Sequence, residues 1–205
     1  MAIIKYAVRY VLRFIPLIVS TVVVFCSLPS AGAERLAVEI EEQKTRIAEL
    51  EQLYVKGEIQ PVDQNSFFDG DLQAEIKNGL KFNELRYTAT HNSYQTESLD
   101  EFKKVFRNLS DLSFGLISEK TADFVSPTLT QQLERGIYSF EIDVEVFDED
   151  GDVSFTCMHI PQIQMTTSCY DFELALKEIA MWSDNNPGHL PVTIIIEPKE
   201  IFIPM

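Results

Sequence analysis

The chain has 205 residues, 45% of them hydrophobic, with 17 Lys+Arg against 32 Asp+Glu and a formal net charge of −15. That apolar content is normal for a folded globular chain and rules out wholesale disorder. The acidic balance argues against nucleic-acid binding through a basic patch and against a polybasic hold on anionic lipid, while an acidic surface still suits divalent cations.

Residues 1–33 read as a secretory signal. Lys5, Arg9 and Arg13 supply the positive start, Phe14 to Leu28 is an uncharged and mostly apolar run, and Ala31-Gly32-Ala33 is a small-x-small cleavage site. The apolar run falls short of the ~20 residues that span a bilayer. Export with cleavage near Ala33, to a periplasmic or extracellular setting, is the expectation. An uncleaved signal acting as a membrane anchor is the alternative. Cleavage would leave two cysteines, Cys157 and Cys169, in an oxidising compartment. They either close a short disulfide loop or stay buried as free thiols. A zinc site with His159 matches no common spacing.

Residues 34–57 carry Leu36, Ile40, Ile47, Leu50 and Tyr54 at helical spacing with no Gly or Pro before Gly57, which predicts an amphipathic helix. Residues 58–79 read as a linker. From Leu85 the pattern turns to alternating strand and helix. Strands are predicted over Leu85–Thr90, Ile137–Phe147, Val153–Met158 and Pro191–Glu197, the last apolar enough for a strand covered on both faces. Helices are predicted over Asp100–Phe106, Thr128–Glu134 and Tyr170–Trp182. Asp148 to Asp152 reads as a hairpin turn, because Gly151 and His159 sit wrongly for an EF-hand loop.

Polar residues gather at the predicted strands. His91-Asn92 follows the first strand, Glu141 and Asp143 share one face of the second, His159 follows the third, and Glu197 closes the last. Two imidazoles can supply an acid and a base near neutral pH. Three carboxylates and an amide oxygen make an all-oxygen set suited to Ca2+ or Mg2+, and such a set is costly without a cation. Each residue also has a plain structural reading: a satisfied strand-end histidine, a turn asparagine, or an ion pair such as Glu197 with Lys199. His189, beside Gly188 and ahead of a strand, reads as structural.

Thr90-His91-Asn92-Ser93-Tyr94, Gln132-Leu133-Glu134-Arg135-Gly136, Phe140-Glu141-Ile142-Asp143-Val144 and Met158-His159 resemble the first half of the catalytic X region of phosphoinositide-specific phospholipase C. Thr167-Ser168-Cys169, Pro187-Gly188-His189-Leu190-Pro191 and Ile196-Glu197-Pro198-Lys199 are similar to its secreted, Ca2+-dependent bacterial branch. The resemblance covers about residues 80–200. It implies an α/β TIM barrel of the phospholipase C-like phosphodiesterases. About 250 residues make such a barrel, so residues 80–205 are expected to be roughly its first half, preceded by the N-terminal helix. It also implies cleavage of the glycerol–phosphate bond of phosphatidylinositol at a membrane surface. Asn92, Glu141, Asp143 and Glu197 would hold Ca2+, and His91 and His159 would be the catalytic pair. The sequence departs at Tyr138, where the family usually has Arg, and lacks the family's second nearby cysteine after Cys169, which leaves Cys157 as the candidate disulfide partner. Glycerophosphodiester phosphodiesterase, and an inactive remnant that only binds Ca2+ or lipid, are the alternative readings.

Overall fold

The computed structural model describes residues 29–68, 70–97, 103–104, 107–108, 111, 125–149, 151–159 and 166–199. The chain divides into two units, Met1–Val38 and Glu39–Met205. The apolar run of the expected signal lies outside the described residues, as does most of the helix expected over Asp100–Phe106. In the first unit, residues 29–38 are helical. All contacts below are within the second unit.

Helix α1 (Pro29–Val55) runs through Ala33 and carries the periodic apolar positions expected of residues 34–57. It closes at Gly57, whose φ of 69° suits glycine, with the Glu58 N–H returning to the Leu53 carbonyl at 2.9 Å. The predicted linker over 58–79 contains a 3-10 turn, Gln64–Phe67, and a short helix α2 (Leu72–Lys77). Asp71 caps α2 by accepting from the Gln73 and Ala74 N–H groups, and Leu72 enters the core. One polar-looking stretch therefore holds a core anchor, because a single leucine is invisible to periodicity.

Strand β1 (Thr88–Thr90) is shorter than expected. Helix α3 (Leu129–Leu133) starts from a capping box in which Thr128 and Gln131 satisfy each other's backbone donors. Gly136 follows at φ 78°, where a Cβ would sit 2.7 Å from the Phe67 ring, and turns the chain into β2 (Ile137–Glu149). A tight turn with Gly151 leads back along β3 (Asp152–Cys157). Helix α4 (Phe172–Asn185), capped by Asp171, precedes β4 (Thr193–Lys199).

The four strands form one sheet around β2. Both β1 and β4 run parallel to it, and β3 runs antiparallel. Phe140 pairs with both β1 and β4, so these lie on opposite edges of β2. Val144 pairs with both β3 and β4, which puts β3 on the β1 side. The architecture is mixed α/β with a parallel core. Among the described residues the sheet is open, with four strands, where roughly the first half of a TIM barrel was the expectation. β4 is also less covered than its apolar sequence suggests: Ile195 and Ile196 are exposed. One edge pairs with β2, and no element pairs with the other among the described residues.

The alternation along β2 divides its two faces. Tyr138, Phe140, Ile142 and Val144 join the core with Leu129 and Leu133 of α3 and Ala175, Ile179 and Trp182 of α4. Ser139, Glu141, Asp143 and Glu145 lie on the other face. Burial of the aromatic and aliphatic set at ~25 cal/mol per Å2 is the main force holding this layer. α1 is tied to the same body by polar contacts. Gln43 accepts the Asp171 N–H and donates to the Asp171 carbonyl, both at 2.9 Å, and Arg46 pairs with buried Glu178 at 2.9 Å.

Candidate functional site

The polar face of β2 meets β4 in a register that places Asp143 directly opposite Glu197. Glu141 lies two residues before Asp143 on the same face. One oxygen each of Glu141, Asp143 and Glu197 lie within 4.8 Å of one another. Two ligands of one Ca2+, each at about 2.4 Å, are at most ~4.8 Å apart, so the three carboxylates can share one such ion. Like charges on directly opposed strand positions are otherwise destabilising. Asp143 has no solvent exposure, Glu141 is half-buried and Glu197 is exposed.

Local contacts set this arrangement. The Tyr94 hydroxyl donates to Asp143 Oδ2 at 2.7 Å, and the Asn92 N–H donates to Glu141 Oε2 at 2.6 Å. Asn92 is buried with φ at 46°, a left-handed conformation that asparagine tolerates better than most residues. Its side-chain Oδ1 is buried with no hydrogen-bond partner; Asp143 Oδ1 is also buried without a hydrogen bond but faces the Lys199 ammonium at 3.3 Å. Buried oxygens left in this state beside a carboxylate pair favour a cation.

The turn bearing His91 and Asn92 is held from below by α3. Gln132 Nε2 donates to the Ser93 and Pro127 carbonyls at 2.6 and 2.7 Å, while the Thr90 hydroxyl donates to Gln132 Oε1 at 2.7 Å. Ser93 Oγ accepts the Glu141 N–H at 3.0 Å. This network fixes the end of β1 against β2, and all its members are buried or partly so.

Lys199 completes the cluster. Its ammonium lies 3.3 Å from Asp143 Oδ1 and 2.5 Å from Glu197 Oε1. Burial disfavours the ammonium, yet Glu197 and Asp143 raise its pKa overall. In turn the Lys199 hydrogen bond and charge hold Glu197 below the usual carboxylate range. Glu141 shifts the other way: burial raises its pKa, the Asn92 N–H opposes that rise, and the Asp143 charge adds to it. Burial, then Asp143, push the Tyr94 hydroxyl far above its ordinary value, so it stays a donor.

His91 is exposed immediately after β1 and its charge acts on Glu141. His159, half-buried two residues past β3, acts on Glu197. The structure thus brings Glu141, Asp143 and Glu197 together, with Asn92 bonded to Glu141 through its N–H, and puts His91 in electrostatic reach of Glu141 and His159 of Glu197. His189 sits elsewhere: its Nε2 meets Ser183 Oγ at 2.6 Å and its ring packs edge-on against Trp182. Cys157 and Cys169 are buried free thiols, and the two side chains share a hydrogen bond. Tyr94 and Gln132 have site contacts that their sequence positions did not reveal, as does Lys199 toward Asp143, whereas its pairing with Glu197 is the ion pair the sequence offered as the plain structural reading. A tyrosine two residues past a turn asparagine and a lysine two past a strand glutamate have many structural uses.

A family model described as phosphoinositide phospholipase C, Ca2+-dependent, matches residues 148–204. That segment includes His159, Glu197 and Lys199, whereas His91, Asn92, Glu141 and Asp143 precede it. No curated protein and no solved structure gives a match.

Proposed function

We propose that the chain is a Ca2+-dependent phosphoinositide phospholipase C-like phosphoric diester hydrolase. The reading is carried by the three carboxylates of β2 and β4 within 4.8 Å of one another, beside the unpartnered amide oxygen of Asn92. The match to the Ca2+-dependent family over residues 148–204 supports it. Asn92, Glu141, Asp143 and Glu197 would hold the ion, which when bound lowers the pKa of a coordinated hydroxyl and neutralises charge on phosphate.

Around that ion, His91 assists removal of the proton from the inositol 2-hydroxyl as it attacks phosphorus, and His159 protonates the departing glycerol oxygen. The products are diacylglycerol and a cyclic inositol phosphate. Tyr94 holds Asp143 in place from the core side, and Gln132 and Ser93 hold the turn that presents His91. The substrate is a phosphoinositide lipid at a membrane surface, reached after export of the chain and removal of residues 1–33. In that oxidising setting Cys157 and Cys169 form a disulfide.

The test is turnover of phosphatidylinositol vesicles by the full chain. Diacylglycerol release that is lost in EDTA, restored by Ca2+, and abolished separately by His91→Ala and His159→Ala is the expected result. Metal-independent turnover, or a preference for glycerophosphodiesters without acyl chains, would overturn the assignment.

A further inference from the structure

The Lys199 ammonium stands at the same oxygens that a divalent ion would need. Asp143 has two carboxylate oxygens. Oδ2 accepts from Tyr94, so Oδ1 is the one free of a hydrogen bond, and Lys199 Nζ lies 3.3 Å from it. Glu197 Oε1 is likewise engaged by Lys199, at 2.5 Å. The β2–β4 register makes this contact follow from the strands themselves. Lys199 lies two residues past Glu197, on the same face of β4, so its stem runs alongside the carboxylates. A divalent ion and an ammonium bound to the same two oxygens would repel each other strongly at such separations. Lysine has a flexible four-carbon stem, and the Lys199 side chain keeps 23% of its surface exposed, so it has a way out.

We propose that Lys199 is a built-in competitor for the metal, its ammonium serving as the cluster's own counter-cation, and that a divalent ion binds only by displacing it. This rests on the metal-site reading above and adds a threshold to it. The site fills when the free ion concentration outweighs an ion pair that the metal-free protein carries. Two states follow, one with Lys199 across Asp143 and Glu197 and one with the ion there and the lysine side chain turned away.

Calorimetric titration of Ca2+ into the full chain tests the idea, with Lys199→Met and Lys199→Arg beside the wild type. Met keeps the stem and removes the charge, and Arg keeps the charge. An affinity gain of up to about fivefold in Lys199→Met, the size expected from deleting one partly exposed ion pair, with none in Lys199→Arg, is the expected result. Equal or weaker binding by Lys199→Met, with the wild type binding one ion, would overturn the competition and leave the metal site standing. Binding by neither protein would overturn the metal site and the competition together. Lys199→Gln, read by the thermal shift on adding Ca2+, provides the same comparison if the methionine variant folds poorly.

Discussion

Tyr94 Oη lies 2.7 Å from Asp143 Oδ2, and neither residue has any solvent exposure. The pair joins two levels of the molecule: the tyrosine ring belongs to the apolar core, and its hydroxyl supports a carboxylate of the candidate metal cluster. Tyr94→Phe would leave that oxygen of a buried carboxylate without its donor, a loss worth ~1–3 kcal/mol. Urea unfolding in EDTA should show this as a lower midpoint at unchanged slope. A variant as stable as the wild type would mean that the hydroxyl does not hold Asp143.

Arg46 of α1 and Glu178 of α4 form a second polar tie, and Glu178 is fully buried while also accepting from Thr130 N–H and Oγ1. Removing one partner of a buried pair costs about 3–5 kcal/mol, because the other charge stays buried. Arg46→Met should approach that loss, and adding Glu178→Gln should recover part of it. A double-mutant cycle by denaturant unfolding measures the coupling. Additive losses would show that α1 is held by its apolar face and Gln43 instead.

Burial raises the pKa of Glu141 above its unfolded value of about 4.5. A carboxyl with a raised folded-state pKa contributes stability that is fully present below its unfolded pKa and lost as pH rises through its folded pKa. Glu141→Gln keeps an oxygen for the Asn92 N–H but cannot ionise. In EDTA the variant should therefore melt higher than the wild type at pH 7, and the difference should shrink on acidification through about pH 4.5. Thermal unfolding across pH checks both the sign and the window. A variant that melts lower at pH 7 would show that the Glu141 charge is already compensated.

The hydrogen-bonded thiols of Cys157 and Cys169 connect the end of β3 to the segment that enters α4. Oxidation by a small disulfide such as glutathione disulfide should convert both thiols to one internal disulfide, with a mass loss of two hydrogens. Closing so short a loop should add roughly 3 kcal/mol. Alkylation followed by mass spectrometry counts the thiols, and unfolding with and without reductant measures the gain. Two persistent thiols, or an oxidised chain of lower stability, would remove this support for an exported protein.

Much of the local architecture is legible in the sequence because local rules govern it. Thr128 and Gln131 announce the start of α3, Gly136 its end, and the alternation from Tyr138 to Glu145 assigns one face of β2 to the core and the other to acids. The shared face of Glu141 and Asp143 follows from strand geometry alone. Helix α2 and the exposed face of β4 do not, since both depend on what packs nearby.

Local patterns along the chain identify the polar groups: the acids, the amide and two histidines that follow strands, in a chain of alternating strand and helix. The tertiary structure decided how they combine. Pairing of β4 with β2 brings Glu197 opposite Asp143, more than fifty positions apart in the chain, and the same register places Lys199 between them. The burial that leaves Asn92 Oδ1 without a partner and makes Tyr94 the donor to Asp143 also arises only when the sheet and helices close on each other. Register, burial and competition for an oxygen belong to pairs of distant residues, and periodicity along one segment carries no information about them.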